Sequence, residues 1–365
     1  MARRRVTVLG SGNGGRTAAA EFGIGGHDVV LFEVPRFAQG LTAIAEAGQI
    51  HAHGTIEGVA PVRVELDLAE AIAGAEIILV VVPTNYHLAY ARMLGPLLAD
   101  GMNVVLMPGS LGSLEFVASL RQQGVTAGVT VSEIAALPYA TRIAGPLGVT
   151  VHGRRRIVSF GTFPADRTDR VAPILEDLYP GIEVMPNVLA AGLNNPNPTL
   201  HCLGVLLSAS RIEYSHGEFY YYEEGMTPHV CQAIEAIDEE RVAIGERFGV
   251  DVLRLKDTYS VMGYGPSGDT FWSVIRGVSV LNGIKGPSQI DSRYLTEDVP
   301  IGLTVFSQLG RSVGLAPVLM ESVIHLAGAV LGTDFGDDRR TLSRCGIEGM
   351  DRDEILAYVT TGERG

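Results

Sequence analysis

The sequence predicts an α/β domain followed by an all-helical one: first a doubly wound sheet, then a helical C-terminal domain. Three observations carry this. Short branched apolar runs alternate with helical patterns over the first half. A glycine-rich turn, Gly10-Ser11-Gly12-Asn13-Gly14-Gly15, joins the first run to the first helical pattern. After about Pro186 the strand patterns stop and helical periodicity takes over.

In chain order, residues 5–9 read as a buried strand, residues 14–22 as an alanine-rich helix and residues 28–32 as the next strand. Residues 77–82 are six consecutive branched apolar side chains ended by Pro83, which suits a parallel strand covered on both faces. Residues 103–107 form a further strand closed by Pro108 and Gly109. This alternation implies a doubly wound sheet, and later strands are expected over 147–151 and 155–160 and a helix over 167–179. In the second half, Thr227 is placed as an N-cap before Pro228. Val230, Ile234, Ile237, Ile244 and Phe248 then share one face, with Gly249 at the C-terminal glycine position. Residues 317–331 repeat the pattern and end at Gly332. The boundary is expected near residue 187, giving domains 1–187 and 188–365.

A length of 365 residues allows two domains with a sizeable core in each. The formal charge of −13 excludes broad binding to nucleic acid or to anionic membrane, both of which need basic surface. It leaves room for small anions, because a few local arginines can hold a carboxylate. Cys202, Cys231 and Cys345 are far apart and lack metal-site spacing, so they are expected to be reduced thiols, with no metal bound. The basic opening Met1-Ala-Arg-Arg-Arg precedes an apolar stretch too short for a signal peptide, and no run approaches a membrane span. A cytoplasmic protein is expected, and its apolar helical domain suits a homodimer.

Gly10, Gly12 and Gly15 satisfy G-x-G-x-x-G, the Rossmann fingerprint of dinucleotide binding. Gly10 permits the tight turn, Gly12 lets the backbone approach a pyrophosphate, and Gly15 lets the helix pack on the sheet. The helix start, with Ser11, Asn13 and Gly14, then offers N–H groups to the phosphates. Glu33 ends the second strand at the spacing of the acidic residue that accepts from ribose hydroxyls. NAD(H) is therefore expected over NADP(H). Arg36 leaves the other cofactor open, since it is either a surface charge or a partner for a 2′-phosphate. Val82 and Pro83 pass beneath the cofactor or merely turn the chain.

Hydride transfer to a carbonyl or imine needs a proton donor near the reacting carbon, and histidine suits neutral pH. Most of the nine histidines, among them His27, His51, His53, His152, His216, His229 and His325, fit packing or surface roles, and His87 is a weaker candidate. His201 differs. It follows the polar, proline-broken stretch 194–198 just after the domain junction and leads into an apolar helix, a setting for an imidazole facing an interdomain cleft. Residues 286–300 are the other unusual segment, reading either as a solvated loop or as part of a site.

On these residues the chain resembles the octopine/nopaline dehydrogenase family, the opine dehydrogenases, and in particular its bacterial branch typified by N-(1-carboxyethyl)-norvaline dehydrogenase. The likeness rests on residues 9–15, 80–83, 108–112 and 194–201, on the Phe-Tyr-Tyr-Tyr-Glu-Glu-Gly-Met-Thr-Pro run at 219–228, and on Arg-Tyr-Leu-Thr-Glu-Asp at 293–298. The resemblance implies a catalytic His201 paired with Asp298, an Arg293 that grips a substrate carboxylate, and a reaction in which an amino acid condenses with a 2-oxo acid and NAD(P)H reduces the imine. One rival is a ketopantoate reductase-like or glycerol-3-phosphate dehydrogenase-like enzyme with a catalytic lysine. Only Lys256 and Lys285 are present to serve it. The other is a dinucleotide sensor without catalysis. The amino-acid substrate is not fixed, although residues 219–222 could line its pocket or simply pack.

Overall fold

The computed structural model describes residues 2–364; Met1 and Gly365 lie outside the described residues. The chain forms two compact units, residues 2–192 with 359–362, and residues 193–358 with 363–364.

In the first unit, among the described residues, eight strands form one sheet. Their order is 183–184, 159–163, 130–134, 103–106, 77–80, 5–9, 28–32 and 63–65. All neighbours are parallel except 159–163 against 130–134. The strand Ile77–Val80 has no exposed residue. Each fully buried aliphatic side chain contributes roughly 1.5–3 kcal/mol, so such a run gains most in the middle of a sheet covered on both faces. The strand order reverses between Arg5–Leu9 and Ile77–Val80, which pair Leu9 to Val80. Ligands of doubly wound folds bind beyond the carboxyl ends at that reversal.

Two glycines shape the first turn. Gly10 has φ +103°, and a Cβ there would lie 2.5 Å from the Val81 carbonyl oxygen. A Cβ on Gly15 would lie 1.8 Å from the carbonyl oxygen of Gly10, so the helix Asn13–Ile24 can start here only without a side chain at that position.

Three expectations are corrected. The strand expected at 147–151 runs over Gly148–Arg154 and belongs to a second, four-stranded sheet, ordered 58–61, 49–54, 148–154 and 139–144. In this strand Val149 and Val151 are buried while His152 is exposed, so one face alone is covered. The small sheet packs on helix Asn13–Ile24, where Gly23 meets Ala60 and Pro61. The strand expected at 155–160 instead occupies Ser159–Phe163, at the antiparallel position of the main sheet. The division between units falls after residue 192 rather than near 187. The reason is local: a Cβ at Gly161 would strike the Asn187 carbonyl, and one at Gly192 would strike Leu111, so this stretch packs on the sheet unit. Residues 359–362, expected in the helical domain, also join the first unit.

The second unit is helical. Pro228–Phe248 is its long central helix, with Thr227 Oγ1 accepting from the Val230 N–H and Gly249 at φ +69° behind it. Arg241 and Asp238 are buried on this helix. Arg241 Nε donates to Asp238 Oδ1 at 2.9 Å, and its Nη groups donate to the carbonyls of Leu193 and Leu253. Asp238 Oδ2 accepts from Leu255 N at 2.6 Å. A buried ion pair is tolerated only when its remaining hydrogen bonds are made in this way. No helix among the described residues is long and apolar enough to cross a membrane.

Replacing Gly15 by alanine forces a methyl group into backbone. Overpacking of this kind costs about 1–3 kcal/mol. Urea unfolding should show a lower midpoint with an unchanged slope. A midpoint equal to that of the wild type would show that the turn relaxes freely.

Candidate active site

The first unit carries a cleft of about 570 Å³ at the strand-order reversal. Its walls include Gly10, Ser11 and Gly12 after the first strand, Glu33 and Arg36 after the second, and Val82 and Pro83 after Ile77–Val80. Glu33 is buried. Its Oε2 accepts from Ser11 N at 2.8 Å and Ser11 Oγ at 2.9 Å, so the acidic residue braces the glycine turn. Arg36 is exposed and lies over the Phe37 ring at 5.3 Å.

A dinucleotide fits these groups on two counts. A Cβ on Gly12 would meet nothing within 4 Å, so protein packing does not explain the glycine, whereas a ligand lying close to the backbone does. The helix beginning at Asn13 has no side-chain cap, so its first N–H groups remain available to an anion.

Asn13, Gly14 and Gly15 are not among the walls. Asn13 Oδ1 accepts from Ile143 N at 2.8 Å, tying the helix start to the small sheet. Gly14 faces Leu137 and Val81. Several wall residues escaped the sequence reading, Arg16 among them. Arg16 is buried and donates from Nε to the Ser11 carbonyl at 2.9 Å and from Nη2 to the Gly40 carbonyl at 2.5 Å. Burial lowers its pKa from the usual arginine value. The available signal was an arginine entering an otherwise alanine-rich helix. Glu133 lies buried and accepts from the Leu111 and Ser113 N–H groups.

In the second unit His201 Nδ1 lies 2.9 Å from Asp298 Oδ2. The contact joins two segments that fold for different reasons. Helix Asn197–Leu207 starts at a proline-rich entry, where Asn195 Oδ1 accepts from Asn197 N and Thr199 Oγ1 donates to the Pro196 carbonyl. His201 follows on the second turn, 9% exposed. Asp298 opens a π-helical turn, Asp298–Leu303. Within it, a Cβ at Gly302 would lie 2.2 Å from Pro198 Cγ, so only glycine lets the two segments approach this closely. Burial pushes the Asp298 carboxyl above its ordinary range, while the bond to His201 opposes that push.

Tyrosines surround the imidazole. Tyr294 lies against it at 4.2 Å between ring centroids. The Tyr221 hydroxyl donates to the His201 carbonyl at 3.1 Å, and a Cβ at Gly204 would be 2.5 Å from that hydroxyl. Tyr222 Oη is 3.3 Å from His201 Nε2. Tyr221 and Tyr222 begin a second π-helical turn, Tyr221–Gly225, so these two of the aromatic run reach the histidine while Tyr220 is exposed. Arg293, one residue before Tyr294, donates from Nε to Glu297 Oε2 at 2.7 Å, and 73% of its side chain is exposed. Lys285, the lysine of the rival reading, is exposed and paired with Glu218.

Comparison with known proteins agrees with both halves. Residues 184–331 match the model for the α-helical domain of NAD/NADP octopine/nopaline dehydrogenase, and residues 5–111 match the N-terminal model of NAD-dependent glycerol-3-phosphate dehydrogenase. The chain is 34% identical to the opine dehydrogenase of Arthrobacter sp. strain 1C over 98% of its own length and 99% of that protein. A structure of octopine dehydrogenase with NADH and L-arginine shares the fold at TM-score 0.77 and 20% identity, covering 99% of both chains. A ketopantoate reductase from Ralstonia eutropha JMP134 is similar at TM-score 0.55 and 19% identity, covering 89% of this chain and 99% of that one. The chain therefore belongs to the octopine/nopaline family of opine dehydrogenases, NAD(P)-dependent oxidoreductases with a sheet domain followed by a helical one.

Proposed function

We propose that this protein is a cytoplasmic enzyme that condenses an amino acid with a 2-oxo acid such as pyruvate and reduces the product to a secondary amine dicarboxylate, and that it also runs the reverse oxidation. The observation that carries this reading is the His201–Asp298 pair, held at 2.9 Å within the region that matches the octopine/nopaline helical domain. NADH or NADPH, once bound, supplies the hydride. The rest is proton traffic and positioning by the chain itself.

The amine must lose a proton to attack the oxo carbon, and the resulting carbinolamine must gain one for its hydroxyl to leave as water. A single acid–base group serves both steps. With Nδ1–H donated to Asp298, His201 keeps one tautomer, and Nε2 is the nitrogen that takes and returns the proton. The carboxylate stabilises the imidazolium form, as in other histidine–carboxylate pairs. Arg293 is fixed at Nε by Glu297 and exposes the rest of its fork, which suits a two-point grip on a substrate carboxylate.

Glu33 supports NAD(H) as the preferred cofactor. A carboxylate in the cleft wall accepts from ribose hydroxyls, and a 2′-phosphate would add a second anion beside it. A lysine mechanism is less well supported, because Lys285 is an exposed partner of Glu218.

His201→Ala should lower turnover by roughly 10²- to 10⁴-fold, the range for losing a general acid–base group, with NADH affinity within about twofold. Near-normal turnover would remove His201 from the mechanism. The sign of the pH dependence follows from Asp298. Its pKa is raised, and protonation on acidification discharges the partner of the imidazolium. The acidic limb of kcat/KM should therefore begin at a higher pH than for an ordinary carboxyl, and Asp298→Asn should abolish that limb along with most of the activity. A limb unmoved in Asp298→Asn assigns it to another group.

Glu33→Gln is expected to weaken NADH about tenfold, the loss of one charge-assisted hydrogen bond, and to narrow the preference over NADPH. Titration calorimetry with both cofactors reads this directly, and an unchanged ratio refutes the assignment. Lys285→Ala should keep most of its turnover, whereas a lysine-dependent enzyme would lose it.

A further inference from the structure

We propose that Arg16 is a positioning residue for the cofactor: its guanidinium ties the loop 35–40, which walls the adenosine side of the cleft, to the glycine turn, so that affinity for the dinucleotide depends on it and the chemical step does not. The proposal rests on the reading of this cleft as the cofactor site, and it adds the device that holds one wall in place.

The glycine fingerprint calls for a close-packed helix start, and nothing in it asks for an arginine. Thr17, Ala18, Ala19 and Ala20, which follow, are all small. Arg16 nevertheless stands here with 5% of its surface exposed. A buried charge is costly unless its hydrogen bonds are made. Arg16 makes them to three backbone carbonyls in three separate segments. Nε donates to Ser11 in the glycine turn at 2.9 Å, and Nη2 to Gly40 in the loop after the second strand at 2.5 Å. Nη1 donates at 3.2 Å to Pro146, in the turn between Tyr139–Ala144 and Gly148–Arg154 of the small sheet. The donors of a guanidinium form a rigid planar fork, so bonds from one group fix the three segments relative to one another. Ser11 is gripped from both sides, since Glu33 accepts from its N–H and its hydroxyl while Arg16 holds its carbonyl.

The loop has few other ties. Pro35, Arg36, Phe37, Gln39 and Gly40 are exposed. Its backbone bonds are turns within itself: the N–H groups of Phe37, Ala38 and Gly40 donate to the carbonyls of Val34, Pro35 and Phe37. Thr42 Oγ1 donates to the Gln39 carbonyl, again locally. Among the described residues, the hydrogen bond from Arg16 is the one that reaches the loop from another part of the fold. It lands on Gly40, the last exposed residue before Leu41 enters the core. A Cβ at Gly40 would lie 3.1 Å from Arg16 Nη2, so the contact is this close because Gly40 has no side chain.

Arg36 and Phe37, both walls of the cleft, ride on this loop. The acidic residue that ends the second strand marks the adenosine ribose, so a loop that follows Glu33 borders that half of the ligand. A loop already held in place need not be ordered when the ligand binds, and that saving appears as affinity. The nicotinamide belongs to the other mononucleotide half, across the strand-order reversal, and is out of reach of this tie.

Titration calorimetry on the full-length protein, with NADH and with ADP-ribose as the adenosine half alone, tests this. Arg16→Met keeps the length of the side chain and removes its donors. Arg16→Lys keeps the charge, but an ammonium lacks the fixed directions of the fork. Both are expected to weaken NADH and ADP-ribose by the same factor, about tenfold, the loss of a charge-assisted hydrogen bond. The KM for NADH should rise by that factor with kcat within about twofold. Amide exchange should quicken over residues 35–41 and hold in Arg5–Leu9 and Ile77–Val80. Gly40→Val disturbs the same contact from the exposed side and should reproduce the loss, and the double variant Arg16→Met/Gly40→Val should bind no worse than the weaker single. Wild-type NADH affinity in Arg16→Lys overturns the tie, because charge alone would then suffice. So does a loss confined to NADH with ADP-ribose untouched, or exchange that quickens through the whole sheet unit, which would make Arg16 a folding residue. Should both Arg16 variants fail to fold, Gly40→Val decides, and unchanged affinity there overturns the proposal. A wild type that binds neither NADH nor NADPH ends the reading of the cleft itself, and the proposal with it.

Discussion

The hydrogen bond between His201 and Asp298 joins positions 97 residues apart, and two close glycine contacts of the helical unit bring its two segments together. Holding charge out of water costs several kcal/mol per ion even after relaxation, so neither group is tenable there alone. The pair is bearable because it is geometrically enforced. Gly302 lets the Asp298 turn ride directly on Pro198, at the head of the helix that carries the histidine. Gly204, three residues after His201, makes room for the Tyr221 hydroxyl, which then fixes the histidine backbone. Two glycines with ordinary backbone angles thus decide whether the dyad closes, because each removes a side chain from a contact and neither supplies a special turn.

Both the Asp298 and the Tyr222 side chains leave π-helical turns. Such turns are uncommon and cluster at functional sites. The extra residue per turn rotates the side chains that follow. Here it directs them toward one imidazole from two separate segments.

Much of this was readable from the chain before any coordinates. Arg5–Leu9 and Asp28–Phe32 have the expected bounds, because each is a branched apolar run ended by a glycine turn or a charge. The glycine turn and Glu33 were legible for the same reason: special backbone and spacing leave a local trace. The small sheet was hidden. Gly148–Arg154 buries one face only, so its pattern gives no hint of which sheet it joins. The aromatic run at 219–222 was noticed, but its direction was not, since a π-helical turn breaks the 3.6-residue periodicity on which facing is judged. Arg16 went unseen because its partners are backbone carbonyls, Ser11 and Gly40, which no residue type announces. The pairing of His201 with Asp298 was suggested by family resemblance, not by spacing, since nothing local connects such distant positions.

One detail of connectivity bears on how the molecule is made. Residues 359–362 belong to the first unit, and the Arg121 guanidinium donates to the Gly362 carbonyl there. The helical unit is therefore not a simple appendage: the chain returns to the first unit over 359–362 before residues 363–364 rejoin the second. During synthesis the sheet unit emerges early but lacks this last strip until the whole helical unit has followed it out of the ribosome. Domain-by-domain folding, the usual course for chains of this size, is thus interrupted at its final step. Until then Pro164, which meets the last glycine of the strip, stays uncovered, so the nascent protein carries a seam that the finished one does not.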